Sequence, residues 1–158
     1  MRNLGFFREW SPKYEENYFD KEYHRKNFEK LEIDTREEKA IKFGIFLKNH
    51  PEKIIGTVSF SNIIKGPFLS CFLGYRLDEN YTSNGYATEA TDRGIEFMFN
   101  DIKLHRIEAN IIPRNKASIR VAEKLGFIYV GSSRNYLQIN GKWEDHLHYV
   151  LLNDNLVP

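Results

Sequence analysis

The chain has 158 residues, a length at which one core buries most of the surface an unfolded chain exposes, so a single domain over residues 1–158 is expected. Its 23 basic residues nearly balance its 22 acidic ones, which leaves no broad cationic field for nucleic acid or an anionic membrane; any anion site must be local. The lone cysteine, Cys71, cannot close an internal disulfide, and no apolar run approaches a membrane span or a signal-peptide core, so a reducing cytoplasm is the expected location.

In chain order, Ser11-Pro12 reads as an N-cap with an N1 proline, opening an amphipathic helix or helix pair from Tyr14 to Leu31. The alternating charges of "KEYHRKNFEKLE" read as its solvated face. Ile41, Phe43, Ile45 and Leu47 then fall at period two, "NHPEK" makes a turn and "IIGTVSFSNI" supplies the second strand of a hairpin. Phe68 to Leu77 is nearly continuously apolar, the pattern of a central strand buried on both faces. A helix from Tyr86 to Asn100, with Ala87, Ala90, Ile95, Met98 and Phe99 inward, leads to the strand "HRIEANII", which together make a crossover unit. After Pro113 comes a helix from Ala117 to Leu125, with Gly126 as its left-handed cap. Two late strands, "FIYVGSSRNYLQI" and "WEDHLHYVLL", join through Asn140-Gly141, a type I′ hairpin signal.

Gly85 stands where a buried strand gives way to a helix. Backbone N–H groups of such a turn and of the first helical turn converge on one point, and glycine lets an anion come close to them. A glycine that only relieves a tight turn would look the same, and the Walker and dinucleotide glycine patterns are both absent.

Taken with the downstream segment, the stretch says more. "YTSNGYATEA" followed by "LHRIEANIIPRNKASIRVAEKLGFIYVG" resembles the GNAT acetyltransferases, in the branch of the ribosomal-protein alanine N-acetyltransferases. Asn115, Ala117-Ser118, Glu123-Lys124 and Leu125-Gly126-Phe127 carry the resemblance, which spans roughly Phe43 to Leu152. It implies an α/β (α+β) fold: a twisted mixed sheet flanked by helices, its central strands splayed into a wedge that takes up acetyl-CoA as co-substrate. It further implies that Tyr75 and Leu77 pair with pantetheine through their backbone, that Thr82 to Ala87 (Asn84, Gly85 and Tyr86 included) hold the pyrophosphate, and that Asn115 holds CoA. The family usually has Gln or Arg at Thr82, Gly at Ser83 and a basic residue at Asn84; these departures bear on CoA affinity rather than on fold. Relatives also begin with a strand before the first helix, whereas "FFREWSP" resembles the end of that helix, so the first N-terminal strand is expected to be missing and a sheet edge to need cover.

Attack of an amine on a thioester needs a neutral nucleophile, donors on the carbonyl and an acid for the departing thiolate. The resemblance assigns that acid to Ser118; from spacing alone Asn115 reads as a helix cap and Ser118 as a first-turn polar residue. Positions where relatives carry a glutamate base hold Leu137 and Asn110, and Glu108, Asp145 and His146 remain as candidates. An α-amine of pKa about 7.7 to 8.0 is neutral in roughly one molecule in ten at pH 7, against one in a few thousand for lysine. A protein N-terminus is therefore the favoured acceptor, with a small amine such as a polyamine or aminoglycoside, a noncatalytic acyl-CoA-binding module, or a purely structural domain as alternatives. His24, His50, His105, His146 and His148 form no metal-spaced set, His146 and His148 being read as alternating on an exposed strand face, and Cys71 reads as a core residue. No metal, nucleic acid or membrane is expected as a partner, and self-association is left open.

Overall fold

The computed structural model describes residues 3–156. Helix α1 (Leu4–Arg8), a 3-10 turn (Glu16–Phe19) and α2 (Lys21–Arg36) precede the first strand. Of the helix or helix pair expected over Tyr14–Leu31, the pair forms, but its first member is a single 3-10 turn and its second runs on to Arg36. Ser11 and Pro12 lie outside any helix: Ser11 is buried and its carbonyl accepts from Asn140 N–H at 2.8 Å, so the segment is pinned to a distant hairpin instead of opening a helix. The polar face of α2 is solvated as expected, with Arg25 paired to Glu22 and Glu29 on the same helix.

Strands β1 (Ile41–Leu47), β2 (His50–Ile64), β3 (Ser70–Leu77), β4 (Arg106–Ile111), β5 (Ile128–Ile139) and β6 (Lys142–Leu152) form one sheet in the order β1-β2-β3-β4-β6-β5. All neighbours are antiparallel except β3 and β4, which helix α3 (Tyr86–Asn100) connects as a crossover. The turn of the first hairpin is shorter than expected, since His50 to Lys53 already belong to β2. The buried positions of β2, Ile55, Val58, Phe60 and Ile63, twice break period two; irregular pairing, with Asn62 at φ 51°, returns Ile63 to the core.

Helix α3 has the residue limits its periodicity predicts, but its most buried stripe is Thr91, Gly94, Ile95 and Met98. Gly94 is central because a Cβ there would lie 2.8 Å from the ring of Phe60, itself fully buried on β2. Helix α4 (Lys116–Lys124) ends in a Schellman motif: Phe127 N–H donates to Ala122 O and Gly126 N–H to Glu123 O, with Gly126 at φ 81°. Asn140 and Gly141, at φ 48° and 80°, make the expected type I′ turn between β5 and β6.

Candidate active site

The site grows from one interruption in the sheet. Strands β3 and β4 pair only at Ser70–Arg106, Cys71–Ile107 and Phe72–Glu108. Beyond Phe72 the two strands continue without a ladder between them, leaving a wedge between Leu73–Leu77 and Ala109–Ile111. This corrects the expectation that β3 is buried on both faces: Leu73 to Tyr75 are only partly covered, because the neighbour that would cover them has turned away.

Two cavities open along the wedge. The first, about 270 Å³, runs from Leu77, Thr82, Ser83 and Ala87 to Ser118 under the α1 residues Phe6 and Phe7. The second, about 220 Å³, continues between the strands past Leu73 and Ala109 to Leu137 and His146. Trp10, Tyr75, Asn115, Ser118 and Val121 line both, so the cavities meet at the α4 N-terminus.

The junction has defined hydrogen bonds. Asn115 Oδ1 accepts from Ser118 N–H at 3.1 Å, the cap that the spacing predicts, and this leaves its amide nitrogen available to a ligand. Tyr75 Oη donates to Ser118 Oγ at 3.0 Å, so the serine keeps its own proton to donate. Burial pushes the Tyr75 phenol above its ordinary pKa, and the bond to Ser118 works against that rise.

At the other end lies the Thr82–Ala87 turn. Thr82 Oγ1 donates to Glu79 O at 2.8 Å, and the Asn84 amide folds back onto Thr82 O at 2.9 Å and Tyr81 O at 3.4 Å. Asn84 thus shapes the turn instead of reaching outward. Among the described residues no protein oxygen accepts from the backbone N–H of Ser83, Asn84, Gly85, Tyr86 or Ala87. Ser83 and Gly85 sit at φ 64° and 83°, and a Cβ on Gly85 would meet nothing within 4 Å. The glycine is there for its dihedral angle, and the space outside it is open. Successive free amides in such a turn, continued by the start of the fifteen-residue α3, are the kind of donor set that can receive an anion.

Of the residues expected at the site, Tyr75, Leu77, Thr82, Ala87, Asn115 and Ser118 line the wedge together. Asn84, Gly85 and Tyr86 do not line it; they supply backbone at its rim, and the Tyr86 ring packs against Tyr81. Sequence reasoning missed Phe6, Phe7 and Trp10, which only the tertiary path of α1 brings over the wedge, and Arg76, which lines it beside Thr82 and Ser83 with its guanidinium over the Phe7 ring. It also misread two histidines. His146 and His148 share a covered face of β6, where the Tyr136 side chain of the neighbouring strand β5 packs against both rings. Among the described residues no group of three His, Cys, Asp or Glu side chains is arranged to hold a metal. None of the described helices is long and apolar enough to cross a membrane.

A sheet splayed beside a glycine turn that opens a helix, with a hydroxyl where the two cavities meet, is the arrangement that the resemblance to the acetyltransferases implies. Comparison with known proteins makes the class specific: residues 5–128 match the acetyltransferase (GNAT) domain, and the chain belongs to that family as an acetyl-CoA-dependent N-acetyltransferase. It is 31% identical to the [ribosomal protein uS5]-alanine N-acetyltransferase of Escherichia coli over 99% of this chain and 80% of that protein. The ribosomal-protein-S5-alanine acetyltransferase of Vibrio fischeri superposes with a TM-score of 0.93 at 38% identity, covering 100% of this chain and 86% of that one. RimJ of Mycobacterium smegmatis, solved in complex with CoA-disulfide, superposes with a TM-score of 0.89 at 26% identity over 99% of this chain and 75% of that one.

Proposed function

We propose that the chain acetylates the α-amine of a protein N-terminus in the cytoplasm, by direct transfer from acetyl-CoA. The observation that carries this reading is the continuous wedge from the free amides of Ser83–Ala87 to the Tyr75–Ser118 pair, together with similarity to enzymes named for alanine N-acetylation of a ribosomal protein. The acetyl-CoA thioester supplies an activated acyl group; the chain's residues bind, orient and move protons. The amides from Ser83 to Ala87 take the pyrophosphate, and the β3 backbone at Tyr75 and Leu77 takes pantetheine in place of the missing β4 ladder. Arg76 supplies the positive charge that the Thr82–Asn84 segment lacks. The free Asn115 amide orients the carrier, and Ser118 gives its proton to the departing sulfur while Tyr75 replenishes it from behind.

Incubation with acetyl-CoA and paired peptides, identical except for a free or blocked N-terminus, tests the acceptor. Free-amine peptides should be acetylated and blocked ones left unmodified. Turnover unaffected by blocking, or confined to polyamines or aminoglycosides, would refute the α-amine reading.

A further inference from the structure

Below about pH 8 an α-amine arrives mostly as the unreactive ammonium, so a group that takes its proton inside the wedge would raise the rate. Three side chains could serve. Glu108 is ion-paired with Arg106 at 2.9 Å and lines neither cavity, and exposed Asp145 accepts from Asn135 N–H at 2.8 Å. His146 differs from both. It is 3% exposed and lines the inner cavity with Ser118. Its Nδ1 lies 3.1 Å from the Glu144 carbonyl. A carbonyl oxygen can only accept, so Nδ1 carries the proton and the neutral ring presents a bare lone pair at Nε2. Among the described residues nothing bonds Nε2, and it is not among the sealed, unpartnered atoms of the interior.

His148 is the contrast. Its Nδ1 meets Asn110 Oδ1 at 2.5 Å and its Nε2 meets Ser133 Oγ at 2.8 Å, so both nitrogens are committed. Tyr136 of β5 packs against both rings and holds His146 in place.

Building on the acetyl-transfer reading above, we infer that Nε2 of His146 is the proton acceptor for the incoming amine. The ammonium gives one proton to Nε2. The neutral nitrogen then bonds the thioester carbon and the C–S bond breaks; the sulfur takes a proton from Ser118, and the second proton leaving nitrogen returns to the Ser118–Tyr75 hydroxyl pair and restores it. Nε2 releases its own proton to water. The surroundings keep the imidazole ready. Burial holds its pKa below the ordinary histidine value, as does neighbouring His148; the Glu144 carbonyl and the Glu144 and Asp145 carboxylates of its own strand work against this. Facing it from β5 is Tyr136 and from the cavity wall Tyr75, while Glu108 and Arg106 of β4 lie beyond His148. The ring is therefore neutral at pH 7 and able to accept.

The test compares the wild type with His146→Asn, whose amide can still donate to the Glu144 carbonyl but offers no basic nitrogen. The substrates are acetyl-CoA and an alanine-first peptide with a free N-terminus, with kcat followed from pH 6 to 9 and the thermal shift with CoA as a folding control. The variant should keep the CoA shift, turn over about tenfold slower at pH 7, and come within about twofold by pH 9, where an amine of pKa about 8 is neutral unaided. Equal rates at every pH, or a deficit of the same size at pH 7 and pH 9, would overturn the assignment. Should the variant not fold, the wild-type profile decides: kcat level down to about pH 6.5 upholds the base, and a tenfold fall per unit from pH 8 downward overturns it. A wild type that acetylates no amine overturns the transfer reading itself, a result distinct from a failure of His146 alone.

Discussion

At the scale of single residues, the hydroxyl pair where the two cavities meet makes a sharp prediction. Ser118→Ala should lower kcat by about a hundredfold, within the range for loss of a general acid, with little change in CoA binding. Tyr75→Phe should cost less, because Ser118 keeps its own proton, and the double variant should be no worse than Ser118→Ala, since the two act in series. Steady-state kinetics on the four proteins checks this; additive losses would show that the hydroxyls act separately. His146 also carries a stability signature. Its folded pKa is depressed, so below the unfolded value of about 6.5 the unfolded chain binds a proton that the folded ring refuses, and stability falls as pH falls. Between pH 7 and 5.5 the wild-type Tm should drop more steeply than that of His146→Asn, as read by thermal melts. The remaining nucleophile has no part in the chemistry: Cys71 is 1% exposed and burial pushes its thiol pKa up to about 12, so a thiol reagent should label it only after unfolding.

At the scale of elements, α3 shows two opposing effects at one position. Gly94→Ala gains about 1 kcal/mol of helix propensity, but its methyl would press on a fully buried Phe60 ring at 2.8 Å, and overpacking of this kind costs typically 1–3 kcal/mol. Urea unfolding should show net destabilisation; a gain would mean that the ring yields freely. The same helix shows what a sequence discloses. Its limits were legible because the turn, the glycine and the apolar period all agree, whereas its deepest stripe, through Thr91 and Gly94, was not, because only the facing β2 ring makes a glycine a contact residue. Strand β3 reads as central from its apolar run, yet its partial exposure reflects the divergence of β4, a relation between strands that neither segment encodes alone. That Ser118 and Asn115 line the wedge was legible through a family motif. His146 reads as an exposed strand histidine because nothing in its own segment shows that Tyr136 packs on it, and Trp10 lies more than a hundred residues from the α4 residues with which it lines the cavities.

At the scale of the whole molecule, the ligand path is assembled from chain segments that meet only in the folded state. The turn after β3 holds one end, α4 gives the middle, β6 closes the far end and α1 lies across the top. Asn140 N–H donating to Ser11 O and Arg114 paired with Glu144 beneath Trp10 tie α1, the β5–β6 hairpin and the α4 approach together, which places one polar seam around the acceptor end. With a net charge of only +1 there is no long-range field, so in the proposed function recognition of the carrier rests on the Ser83–Ala87 amides and on Arg76. An amide-resolved NMR titration with CoA measures this directly. The backbone signals of Ser83 to Ala87, together with Tyr75 and Leu77, should shift in parallel and saturate at one dissociation constant; unchanged signals there, alongside shifts elsewhere on the chain, would contradict the account.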